Sequence, residues 1–252
     1  MIELTWLGQM GLLIRTPHTT LCIDYYADPA PRRLVPVPIV REEMRHVDFI
    51  LGTHDHTDHI DRPSWKVWAK TMPQAQFVAP RPHFSSLVQD GIPADRLIPV
   101  DAGETYTFGD ITLHPLPAAH EFLSPDEEGH YPCLQYVLSG GGIRIYHAGD
   151  TLRYEGMLPK LLALGPFDVA LLPINGRDGR RYRSNCIGNM TFQEAADLAG
   201  ALEPRLTLPG HWDMFEGNTA DPEAFIDYMD AKYPHLTCRL PEVGVPFQVE
   251  SV

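Results

Sequence analysis

The stretch His54-Asp55-His56-Thr57-Asp58-His59 constrains this chain more than any other, because it sets three imidazoles and two carboxylates directly behind the apolar run Val47-Asp48-Phe49-Ile50-Leu51. Borderline nitrogen and hard oxygen donors at that density, at the end of a strand, suit a transition-metal site. In an extended segment, residues two apart point the same way. His54 and His56 can therefore grip one ion while the chain turns and aims Asp58 and His59 at a second. Further donors close later strand-like runs: His120 after Ile111–Ala119, Asp150 after Ile143–Gly149, and His211 after Leu206–Gly210. For these to converge, a chain of 252 residues must fold both halves around one centre, so we read one domain over residues 1–252.

Composition narrows the functional classes. Hydrophobic residues at 44% and charged residues at 21% exclude a disordered chain. A net charge of -13 opposes broad attachment to nucleic acid or to anionic lipid, so neither a nucleic-acid nor a membrane partner is expected. No apolar run reaches the ~20 residues that span a bilayer, and the first residues read as a strand rather than a signal sequence. The four cysteines, Cys22, Cys133, Cys186 and Cys238, form no Cys-x-x-Cys pair, as suits free thiols in a reducing compartment. A cytoplasmic protein is expected; an oligomer is compatible with the sequence.

Strand patterns occupy Ile2–Ile14 and Thr19–Tyr25, joined at Arg15-Thr16-Pro17-His18, and recur at Phe77–Ala79, Thr105–Phe108, Ile111–Leu116, Leu134–Leu138, Ile143–His147 and Val169–Pro173. Helices are expected at Arg41–Val47, from Pro63 to Lys70, at Thr191–Leu202 and at Pro222–Lys232. Thr191 with Glu194 reads as a capping box. Residues 27–40 hold four prolines, Pro29, Pro31, Pro36 and Pro38, which keep them out of a helix or central strand and make them a candidate flap.

The signature His54 to His59, followed in order by His120, Asp150 and His211, resembles that of the metallo-β-lactamase superfamily, and the opening hairpin Leu4–Ile14 extends the likeness over nearly the whole chain. That resemblance implies an α/β fold, an αββα sandwich of two mixed sheets face to face with helices outside. It implies that His54, His56 and His120 hold one ion, Asp58, His59 and His211 the other, and that Asp150 bridges them. Leu172–Asp178, Ile187–Met190 and Gly210–Phe215 are similar to blocks of the L-ascorbate-6-phosphate lactonase family, manganese enzymes that open a sugar-derived lactone. Members of that family are longer. The implied cofactors are two divalent ions, Mn2+ or Zn2+, with iron also suited to such ligands.

A water held between two divalent ions ionises near neutral pH and can attack an ester or lactone carbonyl that one ion polarises. Asp58 or Asp150 is placed to relay the proton to the leaving alkoxide. Two dications opposed by two carboxylates and a hydroxide stay cationic, which favours a small anionic substrate. Arg177 in the run Arg177–Arg183 is the candidate for its anionic group, with Asn175 and Asn189 as polar partners. Asp24, ending the second strand, is a candidate to orient a ligating histidine or to cap the following turn. His147 reads as a core histidine or as support for the metal ligands. Two alternatives to a lactonase stand: a phosphodiesterase or nuclease, since two-metal centres also suit phosphoryl transfer, and a non-catalytic metal-binding protein.

Overall fold

Alternation along the strands builds three apolar layers, and these fix the architecture. In the computed structural model, which describes residues 1–29, 32–39 and 41–251, two mixed sheets pack face to face. The first has seven strands: β1 (Ile2–Trp6), β2 (Leu12–Arg15), β3 (Thr20–Ile23), β4 (Phe49–Leu51), β5 (Gln76–Pro80) and β6 (Leu97–Val100), with β13 (Pro246–Val249) beside β1. The second has six: β7 (Tyr106–Phe108), β8 (Ile111–Pro117), β9 (Leu134–Gly140), β10 (Ile143–His147), β11 (Val169–Pro173) and β12 (Leu206–Gly210). Leu12, Ile14, Leu21 and Ile23 of the first sheet meet Tyr136, Leu138, Ile145 and Leu171 of the second in the central layer. The intervening residues Leu13, Cys22 and Ile50 point the other way, onto Trp65 and Trp68 of α1 (Arg62–Thr71). On the far side, Val137, Tyr146 and Ala170 pack against α3 (Met157–Leu164), α5 (Phe192–Leu202) and α6 (Pro222–Lys232). A period of two on both sheets, with helices covering each outer face, is the expected αββα sandwich.

Both halves share a plan. β1, β2 and β3 run antiparallel before β4 and β5 join in parallel; β8, β9 and β10 run antiparallel before β11 and β12 join in parallel. Parallel neighbours leave the same edge with their C-terminal ends, and the polar loops gather there.

The capping box forms as expected: the Thr191 side chain accepts from Glu194 N, and the Glu194 carboxylate accepts from Thr191 N. Arg41–His46 is a 3-10 helix, and α1 starts on the N-cap Asp61. Several elements were not foreseen: β6, β13, α2 (Phe84–Gln89), α3 and α4 (Gly179–Arg183). The last turns the expected arginine loop into a short helix, because the Asp178 carboxylate accepts from Arg180 N and Arg181 N. Of the expected flap, Ala30, Pro31 and Val40 lie outside the described residues; the rest forms only an isolated bridge, Arg33 to Phe215. Among the described residues, no helix is long and apolar enough to cross a membrane.

Candidate metal centre

Each expected ligand sits just past a strand end: His54, His56, Asp58 and His59 after β4, His120 after β8, Asp150 after β10 and His211 after β12. The loop after β4 is clamped from below. Asp24, fully buried, accepts from Thr53 N at 2.8 Å, from the Thr53 hydroxyl at 2.7 Å and from His59 Nδ1 at 2.7 Å. The last bond commits the Nδ1 proton of His59 and turns Nε2 toward the centre, the usual arrangement by which a carboxylate aims a metal-ligating imidazole. On the solvent side Arg62 donates to both oxygens of Asp55, at 2.9 and 2.6 Å, so the loop is held at both ends.

Three groups of donor atoms converge, each within 4.8 Å: His54, His56 and His120; Asp58, His59 and His211; and His54, His59 and Asp150. Asp150 lies between the first two, with Oδ1 3.2 Å from His59 Nε2 and Oδ2 3.0 Å from His211 Nε2 and 3.8 Å from His120 Nε2. Whether these residues fit a cation can be judged from their unmet bonding. His54 Nε2 and His120 Nδ1 are buried without a hydrogen-bond partner, and His59 Nε2 and Asp150 Oδ1 have none beyond their own 3.2 Å ion-pair contact, a combination that proteins rarely leave uncompensated. His120 Nε2 and His56 Nδ1 also face each other at 3.1 Å, a contact that only a shared proton or a shared cation makes favourable. The donor set fits divalent metal.

Electrostatics divides the cluster. Burial holds His54 well below the ordinary histidine range, with the other imidazoles adding to the effect, and brings His120 down to about 4. Burial also opposes charge on His211, but Asp150 and Asp58 outweigh it and push the imidazole up to about 10. His59, between Asp150, Asp24 and Asp58, is likewise driven well above its ordinary value against the effect of burial. Burial would raise the carboxyls of Asp58 and Asp150, yet the facing His59 and His211 hold both below the usual carboxylate range. The carboxylates thus demand positive charge, and His54 and His120 offer neutral lone pairs.

Two participants escaped the sequence reading. Gln9, fully buried with φ +51°, donates from Nε2 to Asp58 Oδ2 at 2.9 Å, while its carbonyl accepts from His211 N at 2.9 Å. Asp213, beside His211, accepts from Gln9 N at 2.9 Å. The available signal was a polar residue between Gly8 and Met10 in an otherwise apolar hairpin. Gly210 permits the contact, since a Cβ there would lie 2.9 Å from Gln9 O. His147 is a core residue: its ring Nε2 lies 2.7 Å from Met10 O.

A cavity of about 1230 Å³ opens onto Asp58, lined by Tyr26, Leu34 and Phe215 together with residues of α4 and of the loop 216–219. The expected substrate residues lie away from this cavity. Arg177 does not line this cavity; Nη1 and Nη2 of its guanidinium donate to Glu194, at 2.5 and 2.8 Å, and Nη1 also donates to Asn189 O. Glu194 already closes the capping box, so Arg177 ties the loop after β11 to α5. Gly188 allows that packing, since a Cβ there would lie 2.2 Å from Gly176 O. Asn175 and Asn189 are buried and bond one another at 3.1 Å, and Asn175 Nδ2 donates to Asn218 Oδ1 at 2.8 Å. Of these asparagines, only Asn218 lines the cavity.

Comparison with known proteins agrees with this geometry. A "UPF0173 metal-dependent hydrolase" of Thermococcus onnurineus is 32% identical over 193 residues, covering 75% of this chain and 78% of that protein. A protein named "Probable L-ascorbate-6-phosphate lactonase" from Escherichia fergusonii is 25% identical, aligned to 86% of this chain but 71% of its own length, in keeping with the greater length expected of that family. The metallo hydrolase Igni18 of Ignicoccus hospitalis superposes with a TM-score of 0.76 at 22% identity, over 99% of each chain, and so shares the fold. Residues 20–212 match the family described as Beta-lactamase superfamily domain, and the chain belongs to that family.

Proposed function

We propose that this protein is a metal-dependent hydrolase that opens a small anionic lactone or ester, with a sugar-phosphate lactone such as L-ascorbate 6-phosphate as the sharpest form. The observation that carries the reading is Asp150, whose two oxygens face donors of both histidine groups, while Asp58 of the same cluster lines a cavity wide enough for a small organic substrate. His54, His56 and His120 would hold one divalent ion and Asp58, His59 and His211 a second, with Asp150 shared. Such a pair supplies a deprotonated water near neutral pH and a Lewis acid for the carbonyl.

The chain's own groups then divide the work. Asp24 fixes the tautomer and orientation of His59. Asp150 is 3% exposed and enclosed by imidazoles, so its role is positional. Asp58 lines the cavity and is steadied by Gln9 Nε2, which makes it the carboxylate able to reach the substrate. Asp58 is placed to accept the proton that remains on the attacking oxygen after addition and to pass it to the departing alkoxide as the acyl–oxygen bond breaks. The lactonase named above supports the substrate class, and its manganese-using family favours Mn2+, while the thiol-free donor groups equally suit Zn2+ or iron. Unpaired cysteines support a cytoplasmic site of action.

Metal analysis of the purified protein coupled to a panel of lactones, phosphodiesters and β-lactams tests this. Chelator-sensitive turnover of lactones, restored by metal, is expected. Phosphodiester turnover exceeding lactone turnover would overturn the substrate class, and metal-free protein with full activity would overturn the mechanism.

A further inference from the structure

Two arginines, Arg32 and, from the run Arg177–Arg183, Arg180, line the cavity with their charge unspent. Six charged residues line it: Arg32, Arg180, Arg181, Asp58, Asp178 and Glu216. Most are committed. Asp58 belongs to the metal cluster. Asp178 caps α4 and pairs with Arg181 Nη1 at 3.1 Å. Arg181 also donates to Thr219 O at 2.7 Å and to Gly217 O at 3.3 Å, so its guanidinium holds the cavity wall together. The guanidinium groups of Arg32 and Arg180 make no hydrogen bond or ion pair with any described residue, and both residues are exposed. Glu216 is the one further carboxylate on the lining, also exposed. The six lining charges cancel, three of each sign, so against a chain charge of -13 the cavity is locally neutral, with two guanidinium groups and one carboxylate left unpaired.

The two arginines come from separate parts of the chain. Arg32 lies in the proline-rich segment that follows β3, and Arg180 in α4 beyond β11. Long side chains on separate segments of one lining can close on a ligand between them, whereas Arg177, saturated by Glu194, cannot turn to it. A guanidinium fork matches the oxygens of a phosphate or carboxylate and donates charge-assisted hydrogen bonds to them.

Resting on the hydrolase reading above, we infer that Arg32 and Arg180 hold the substrate's anionic group, a phosphate monoester, and so set its specificity in the cavity that Asp58 also lines. The apolar residues Tyr26, Leu34 and Phe215 on the same lining then cover the carbon skeleton, and Glu216 disfavours substrates with a second anionic group on that side.

The test compares wild type with R32Q, R180Q and the double variant on a phosphorylated lactone and its unphosphorylated counterpart. The ratio of kcat/KM for the charged over the uncharged substrate should fall about tenfold in each single variant and further in the double, chiefly through KM. R180K, which keeps the charge but loses the fork, should recover part of the ratio. Calorimetric titration with phenyl phosphate reads the same site without turnover: the double variant should bind at least tenfold more weakly at unchanged metal content. A ratio and an affinity both equal to wild type would overturn the inference, as would an equal loss on both substrates. If no lactone or ester is turned over yet phenyl phosphate binding depends on the two arginines, the anion site stands and the hydrolase reading falls.

Discussion

Asp24 offers the sharpest test of how the centre is held, because all its interactions are buried and none requires it to touch a metal. Its carboxylate accepts three hydrogen bonds, from Thr53 N, the Thr53 hydroxyl and His59 Nδ1, at 2.8, 2.7 and 2.7 Å. Bonds to a charged acceptor contribute roughly 1.5–3 kcal/mol each, and stranded buried donors add a desolvation penalty. Shared partners make the terms less than additive, so Asp24→Ala should destabilise the fold by about 4 kcal/mol. At the roughly 2–4 °C per kcal/mol of a chain this long, Tm should drop by about 10 °C. Asp24→Asn keeps the volume but replaces one acceptor oxygen with a donor facing either Thr53 or His59. That variant should fold, and its metal affinity should fall 10- to 100-fold, the range typical when the partner of a ligating histidine is lost. Thermal unfolding of the metal-free protein and competition against a chelator of known affinity measure the two effects separately. Wild-type metal affinity in Asp24→Asn would refute the claim that this carboxylate aims His59, and an unchanged Tm in Asp24→Ala would refute the energetic argument.

Asp150→Ala should weaken metal binding at both trios, whereas His211→Ala should mainly weaken one; two full equivalents of metal in Asp150→Ala, by elemental analysis, would remove the shared role. Arg177→Ala should lower stability by about 1 kcal/mol, discounted because Arg177 and Glu194 are 30% and 34% exposed, and should leave the preference for charged over uncharged lactone unaltered. Hydrogen bonding to Arg177 depresses the Glu194 carboxyl below its ordinary value, against partial burial. A carboxyl depressed in the folded state stabilises above its unfolded pKa of 4.5, and that stability is lost as pH falls through the lower folded value. Denaturant unfolding below pH 5 should therefore show a shallower acid loss in Glu194→Gln than in wild type. Metal uptake should release protons unevenly: His211, at about 10 in the metal-free protein, and His59 must shed theirs at pH 7, while His54 and His120, the latter at about 4, have none to shed. Titration calorimetry in buffers of differing ionisation enthalpy counts them, and no net release at pH 7 would contradict this division.

The cluster of candidate donors was legible because its chemistry is local. Three histidines and an aspartate after a buried strand have few other uses, and the later donors each close an apolar run that reads as a strand. Strand alternation was legible for the same reason, and so was the capping box of Thr191 and Glu194. The pairing of Arg177 was not legible because Glu194 does two things at once: the three-residue spacing reveals the cap, but nothing local reveals that the same carboxylate receives an arginine 17 residues upstream. Gln9 was missed because its value depends on β12 bringing His211 to the turn between β1 and β2, a pairing 202 residues apart. The segment Met157–Leu164 carries Pro159, which disguised α3 although proline is tolerated in a first helical turn. β13 is a four-residue edge strand opening on Pro246, a position where proline costs no ladder bond.

His59 explains why neither half of the fold can make this centre alone. Its Nδ1 is bound by Asp24, which follows β3, and its Nε2 is met by Asp150, which follows β10. β3 and β10 occupy the same place in the two antiparallel-then-parallel runs, so each half contributes an aspartate from the corresponding strand end, and the imidazole lies between them. The first carboxylate sets the proton and the angle; the second shares the far nitrogen with the other donors. Bringing the two together requires the central layer of Leu12, Ile23, Tyr136 and Ile145 to close, because those residues set how the sheets lie against each other. Loss of packing in that layer, well away from any ligand, should therefore move Asp150 relative to His59 and weaken both donor groups at once.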